Sequence, residues 1–358
     1  MAEFLGNDCH VISPGPRVVQ GSIDSANWTT VDSEAQPHRV AAIAKGVLPV
    51  CQRLPINSVC AMLERQAGPY AIVHLDTLGA THLAGPLRRR LTVHGRSPTV
   101  VGSINDSYSL VLSAIGRRRL SPNQLKTQYV RAFERLHLPR CDVVHVVADR
   151  DRIWLSSNVP RAQVTVIPLG IHTAKFRGPR WEPRYDVLYL GSCSGGFTPF
   201  VMTLLTEVLP AVKAIRPNVR VALAGPDAPP EVVSAVRCLR GDHLGFVEDH
   251  STLLRSVRML VVPSDQRSGT PTKALEAMAA GTPVVGLQAL EGVPGGVNDI
   301  HYSQAGGGAE LVTRIIALLD NDEYAARIGS RGRALIEHQH DWTAVMQTYL
   351  RSVGDGTD

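Results

Sequence analysis

The 358-residue chain is 44% hydrophobic and 19% charged, with 31 Gly and 24 Pro, which excludes a disordered tail, a coiled coil, a collagen-like repeat and a small disulfide-stapled scaffold. No run approaches the ~18 uninterrupted apolar residues of a membrane span, and MAEFLGND lacks the basic start and apolar core of a signal peptide. The expectation is a soluble, cytoplasmic protein of two globular domains. The net charge of +5 is unevenly placed: residues 1–172 carry 19 Lys+Arg against 12 Asp+Glu, and residues 173–358 carry 18 against 20.

Arg88-Arg89-Arg90 and Arg117-Arg118-Arg119 supply most of the excess in the front half. A basic domain attracts anionic partners, and peripheral contact with an anionic membrane at its inner face is one such expectation. The same triplets read more simply as solvated helix ends. No nucleic-acid reading motif accompanies them, so no nucleic-acid partner is expected. Cys9, Cys51, Cys60, Cys141, Cys193 and Cys238 are scattered without zinc spacing, and reduced, mostly buried thiols are expected.

In chain order, short β-branched runs alternate with stretches of helical period, the pattern of parallel α/β units. Front-half strands are predicted at 8–12, 71–75, 99–104, 143–148 and 164–167. Ligands of open parallel sheets collect beyond the carboxyl ends of strands, which singles out His74 and Asp76, then Asn105 and Asp106. The text RGPRWEPRYD at 177–186 reads as a linker. Beyond it, strands are predicted at 187–190, 219–224, 259–262 and 283–286, and helices at 198–215 and 272–280. The tail from 311 to 353 reads as helix broken near 338–341. At the amino end, Met1 to Leu5 reads as the last turn of a helix entering the strand CHVIS, so the front domain is expected to lack its first β-α unit, either by start assignment or by nature.

The densest stretch is PSDQRSGTPTKALE, residues 263–276. A Ser-Gly-Thr-Pro turn entering a helix presents backbone N–H groups at the positive end of the macrodipole, suited to phosphate. Pro271 fits the first helical turn. Lys273 adds a point charge, and Glu276, one turn on, can accept from two sugar hydroxyls. By spacing alone a capped helix with a solvated Lys and Glu accounts for the stretch equally well.

The run SGTPTKALEAMAAGTPVV (268–285) resembles the donor-binding motif of retaining GT-B glycosyltransferases of glycosyltransferase family 4. YLGSCSGGFTPF (189–200), VALAGP (221–226), LGFVED (244–249), VIPLGIH (166–172) and HDWTAV (340–345) resemble, in order, the first and second donor-domain strands, the segment beside the base, the approach to the donor domain and the crossover helix. The resemblance covers about residues 70 to 350. It implies two Rossmann-like parallel-sheet domains facing a cleft: an acceptor domain at 1–172, a donor domain at 173–335 and a crossover helix at 336–358.

The resemblance also implies residue roles. Glu276 matches the second glutamate of an E-x7-E pattern and would hold the donor ribose; the first glutamate falls on Ser268, a departure that leaves the transferred sugar open. Gly269 and Thr270 fall in the turn cradling the diphosphate, with Arg267 or Lys273 to neutralise it. The family's basic pair after the first donor strand is missing, leaving Gly191, Ser192 and Gly195 to offer main chain. Phe246 and Val247 fall where the base is met. On the acceptor side Asp106 is the expected group that orients the acceptor or helps remove its proton, with His74 second, and Asn105 and Asp76 beside them.

The implied activity is transfer, with retention, of a hexosyl or aminohexosyl group from a nucleoside diphosphate sugar to a hydroxyl. The acceptor would be a cell-surface glycan or lipid precursor, or a small natural product such as an antibiotic. No cofactor or metal is expected. Asp149-Arg150-Asp151 has the form of a D-x-D metal site, but acids at a helix start also favour the dipole. GGGAEL at 306–311 lacks the context of a dinucleotide fingerprint. The alternatives are a non-catalytic nucleotide-sugar-binding partner, and a sugar-nucleotide epimerase or phosphorylase of the same architecture.

Overall fold

The computed structural model describes residues 10–14, 27–31, 59–61, 63, 70–115 and 122–354. Met1 to Leu5, Cys9, Cys51 and the triplet Arg117-Arg118-Arg119 lie outside the described residues. The chain forms two compact units, one of residues 1–146, 151–167 and 346–358, the other of residues 147–150 and 168–345.

In the first unit, β3 (Ile72–Asp76), β4 (Thr99–Ile104), β5 (Val143–Val146) and β6 (Val164–Val166) form a parallel sheet in that order. β1 (His10–Pro14) and β2 (Asn27–Val31) pair in parallel separately. β5, with the text VVHV, is buried along its whole length, as expected for a strand covered on both faces. Helix α1 (Ala84–Leu91), α2 (Tyr108–Ile115), α3 (Pro122–His137) and α4 (Asp149–Asn158) flank this sheet. Leu83, Leu87, Phe133, Leu138 and Leu155 close the core over Val100, Val144 and Val146.

The second unit holds six parallel strands: β7 (Tyr185–Leu190), β8 (Val221–Ala224), β9 (Asp242–Gly245), β10 (Val257–Val262), β11 (Val284–Gly286) and β12 (Ser303–Gln304). Their spatial order is β12-β11-β10-β7-β8-β9, the doubly wound order whose direction reverses between its first and fourth strands, here β7 and β10. Alternation along each strand divides the core in two. Leu188, Ala222, Leu260 and Val284 face one side, packed on α7 (His250–Arg255) and α8 (Thr272–Ala279). Val187, Tyr189, Leu223, Met259 and Val285 face the other.

That second face is covered by the helical stretch Gly195–Ile215, by α9 (Pro230–Cys238) and by α10 (Gly308–Asp320). Gly195–Ile215 is long and apolar enough to cross a bilayer, but Val201, Leu204, Leu205, Val208, Leu209 and Val212 are buried in the sheet's core. Each fully buried aliphatic side chain of this kind contributes about 1.5–3 kcal/mol. The tail continues through α11 (Asp322–Leu335), a π-helical turn at Ile336–His340 and α12 (Trp342–Gly354), so the predicted helix break near 338–341 is present. Of the cysteines described, Cys60, Cys141 and Cys193 are buried and Cys238 is exposed.

Candidate functional site

The reversal of strand order places two loops side by side, the one leaving β7 at Leu190 and the one leaving β10 at Val262. Gly191, Ser192 and Gly195 lie on the first; Arg267, Ser268, Gly269 and Thr270 lie on the second, with Lys273 and Glu276 in the helix that follows. Gly191 N–H donates to the Ala224 carbonyl at 2.9 Å, and Gly225 N–H to the Gly245 carbonyl at 2.8 Å. The loops after β7, β8 and β9 are thereby laced together along one edge. A Cβ on Gly225 would stand 1.9 Å from the Gly191 carbonyl oxygen, so this contact requires glycine. Gly191 itself has φ 155° and Gly195 φ 62°. In this loop the Tyr189 hydroxyl donates to the Ser192 carbonyl at 2.6 Å and Thr198 Oγ1 to the Cys193 carbonyl at 3.0 Å. Burial pushes the Cys193 thiol up to about 11, which keeps it protonated and unreactive.

At the other loop Gly269, with φ 67°, reverses the chain ahead of α8, and no side chain caps the helix start. Ser268 is buried and Arg267 exposed. Thr270 Oγ1 lies 3.0 Å from the Val147 carbonyl and 2.7 Å from that of Gly292, so its hydroxyl anchors the turn to neighbouring main chain. Glu276, one turn into the helix, keeps its side chain only 14% exposed; its Oε2 meets Lys273 Nζ at 2.8 Å and His250 Nε2 at 3.3 Å. A carboxylate, an ammonium and an imidazole therefore share one point at the carboxyl edge of the sheet.

Toward the edge strand β9, Gly245 at φ 63° is followed by Phe246 and Val247. Phe246 is 75% exposed, while Val247 packs against the core. Asp249 caps α7: its Oδ1 accepts from the Thr252 N–H at 3.1 Å and from Ser251 Oγ at 2.7 Å, and these bonds bring its carboxyl down to about 2. The cap fixes the helix start from which His250 reaches Glu276.

In the first unit, Asp76 ends β3 in register with Ser103 of β4, two residues before Asn105. Asn105 and Asp76 are exposed and Asp106 half-buried. Asp76 Oδ1 accepts from the N–H of Thr77 at 3.1 Å. Thr77 holds φ 76°, a strained value for a β-branched residue, and such strain gathers at functional loops. Asp151 is fully buried and accepts from the Ser107 N–H at 3.0 Å, which holds the 105–107 turn. His74 turns to the C-terminal helix: its Nδ1 lies 3.0 Å from the Tyr349 hydroxyl, and His145 Nε2 lies 2.9 Å from Ser352 Oγ. Burial lowers both imidazoles, His145 to about 4.

Two segments of the resemblance meet within the second unit. Ile171 N–H donates to the His340 carbonyl at 2.7 Å, Thr173 Oγ1 to Asp341 Oδ2 at 2.5 Å, and a Cβ on Gly170 would press the Trp342 ring at 2.4 Å. VIPLGIH and HDWTAV are thus joined side by side.

Residues 2–175 match the family described as Glycosyltransferase Family 4, and residues 185–321 the family described as Glycosyl transferases group 1. The chain belongs to the group 1 glycosyltransferases of family 4 type. Its architecture is that of GT-B enzymes. Sucrose-phosphate synthase from Thermosynechococcus elongatus superposes with a TM-score of 0.69 at 16% identity, over 97% of this chain and 89% of that one. HepE of Anabaena, in complex with UDP and glucose, gives 0.64 at 15%, over 94% and 90%. A glycosyltransferase from Rickettsia africae gives 0.67 at 12%, over 97% and 89%. No curated protein matches the chain in sequence.

Two features of this glycosyltransferase were not legible in its sequence. His250 lies 26 positions from Glu276, and only the packing of α7 on α8 brings them together. Arg150, set aside with the D-x-D triplet, sends its guanidinium onto the loop after β10.

Proposed function

We propose that this glycosyltransferase moves a hexosyl group, with retention, from a nucleoside diphosphate sugar to an acceptor hydroxyl without a divalent metal. The observation that carries the reading is Glu276, a nearly buried carboxylate set between Lys273 and His250 one turn beyond an uncapped helix start, at the point where the strand order reverses. The ribose hydroxyls donate to Glu276. The base lies toward Phe246 and Val247, whose loop is laced to those after β7 and β8. The diphosphate meets Lys273, Arg267 and the N–H groups of the helix start, with Gly191, Ser192 and Gly195 offering main chain from the other loop.

In the reaction the bond from the anomeric carbon to the diphosphate oxygen breaks through an oxocarbenium-like transition state. Lys273, Arg267 and the helix dipole stabilise the charge that develops on the leaving group. The acceptor oxygen then bonds to the anomeric carbon from the face the diphosphate leaves, and the departing phosphate takes the acceptor proton. Asp106 and Asn105 orient the acceptor. His74 supports them through the anchored end of β3.

The acceptor class is a cell-surface glycan or lipid precursor, or a small natural product; exposed Arg89 and Arg90 suit a peripheral position at an anionic membrane on the cytoplasmic side. The test is incubation with a panel of nucleoside diphosphate sugars, reading released nucleoside diphosphate and the anomeric configuration of any product by NMR. Transfer or donor hydrolysis with retained configuration supports the proposal. Donor binding without turnover on any acceptor would favour a non-catalytic nucleotide-sugar binder, and inverted product would refute the stereochemistry.

A further inference from the structure

Arg150 follows β5 in the chain, but residues 147–150 pack with the second unit. Its Nη1 donates to the carbonyls of Gln266 at 3.1 Å and Gln288 at 3.2 Å, and its Nη2 to those of Ser268 at 3.0 Å and Gly269 at 2.7 Å. One guanidinium thus gathers four carbonyl oxygens from the two loops that follow β10 and β11. Arginine's planar fork of donors is suited to this, and the single ammonium of lysine is not.

The fit around the guanidinium is close. A Cβ on Gly292 would stand 2.5 Å from Arg150 Nη2 and 2.3 Å from the Gly269 carbonyl oxygen. Thr270 Oγ1, bonded to the Val147 and Gly292 carbonyls, ties the same two loops to the same short segment. The loops are also paired directly, Leu287 N–H to the Val262 carbonyl at 3.0 Å and Ala289 N–H to that of Ser264 at 3.1 Å.

The consequence follows from peptide geometry. In a planar trans peptide the C=O of one residue and the N–H of the next point in opposite directions. Binding the carbonyls of Gln266, Ser268 and Gly269 to Arg150 therefore directs the N–H groups of Arg267, Gly269 and Thr270 away from the guanidinium. An arginine that collects carbonyls on one side of a turn sets the amides on the other, and oriented amides beside a helix start form an anion-binding concavity.

We infer that Arg150 is a positioning residue that holds the 266–270 turn in the conformation that receives the donor diphosphate, without touching the donor. The inference rests on the donor reading above. It requires that loss of Arg150 loosen the turn and weaken diphosphate binding together, while nucleoside binding and the strands beneath are spared.

The test compares the full-length protein with Arg150→Ala, Arg150→Lys and Gly292→Ala, the last acting from the opposite side by forcing the guanidinium and the Gly269 carbonyl apart. Amide hydrogen exchange of the ligand-free proteins is read over 265–272 and 287–293, and calorimetry with UDP, GDP, ADP and dTDP, and with the matching nucleosides, reads affinity. Expected are faster exchange confined to those two segments, unchanged exchange in β7 and β10, and affinity for the diphosphate that wild type binds lowered about tenfold or more, as for a lost charge-assisted hydrogen-bond set, with nucleoside affinity kept. Exchange unaltered in all variants, or altered exchange with wild-type diphosphate affinity, would overturn the positioning role. Wild-type protein that binds none of the four diphosphates would instead overturn the donor reading, and the exchange arm would still report whether Arg150 holds the turn. Full retention of affinity in Arg150→Lys would show that charge alone suffices and would refute the argument from the fork.

Discussion

Removing the Glu276 carboxylate separates folding from binding, because the two draw on it by different amounts. In the ligand-free protein its Oε2 is engaged by Lys273 at 2.8 Å and His250 at 3.3 Å, but those partners are 38% and 32% exposed and return to water when it is gone. Pairs of this kind contribute about 0–1 kcal/mol to stability, so Glu276→Ala should fold with a midpoint shifted by only a few degrees. A charged acceptor for two ribose hydroxyls is a larger loss, about 1.5–3 kcal/mol, or roughly ten- to 150-fold in affinity. If the contact is to ribose, as proposed, the loss should appear in calorimetry with the nucleoside and the nucleoside diphosphate alike. Glu276→Gln, which keeps one acceptor oxygen, should fall between. Nucleoside affinity unchanged in Glu276→Ala would remove this residue from the ribose.

Transfer should persist in excess chelator if, as proposed, Lys273, Arg267 and the helix start meet the phosphate charge; loss restored by magnesium or manganese would refute a metal-free mechanism. Gly225→Ala should destabilise the second unit by several kcal/mol through its 1.9 Å approach to the Gly191 carbonyl, read as a lowered thermal midpoint with donor affinity lost; a wild-type midpoint would contradict the packing of the β7 and β8 loops. In the first unit, Glu134→Gln should make stability fall more steeply than in wild type as pH drops from 6.5 to 4.5. His145, lowered by burial to about 4, makes the unfolded chain the better proton binder there, whereas Glu134, raised by burial to about 7, makes the native chain the better one. The two slopes, each about 1.4 kcal/mol per pH unit, oppose in wild type, and chemical denaturation at pH 4.5 and 6.5 giving parallel profiles would refute the assignment.

The parallel architecture was legible because its central strands are short runs dominated by apolar residues. VALA in β8 and VVHV in β5 are buried throughout, and burial on both faces leaves no polar alternation to mislead. The strands not foreseen are of a different kind. β9 reads DHLG and has no fully buried residue. β12 is two residues long, and β2 reads NWTTV. An edge strand is defined by hydrogen bonding to its neighbour more than by burial, and that leaves little trace in composition. The same limit applies to the site. The turn, its lysine and its glutamate are local in sequence and carry a local signature. His250 against Glu276, and His74 against Tyr349 across 275 positions, exist only once helices have packed, and no spacing announces them.

The departure at Ser268 acquires a physical meaning beside Arg150. In the family pattern a glutamate stands there, and its carboxylate, attached to the residue whose carbonyl lies 3.0 Å from Arg150 Nη2, would compete for the guanidinium with four neutral carbonyls, since a charged acceptor outbids a neutral one. Serine removes that competitor. Its side chain is short and buried, so no carboxylate at position 268 draws the guanidinium from the four carbonyls it holds. The same exchange leaves Glu276, paired with Lys273, and exposed Asp265 as the acids of the 263–276 stretch. On the proposed donor reading, a more positive turn would favour the doubly charged diphosphate before and after bond cleavage, and would shift the burden of recognising the sugar from a carboxylate at position 268 to groups elsewhere in the molecule.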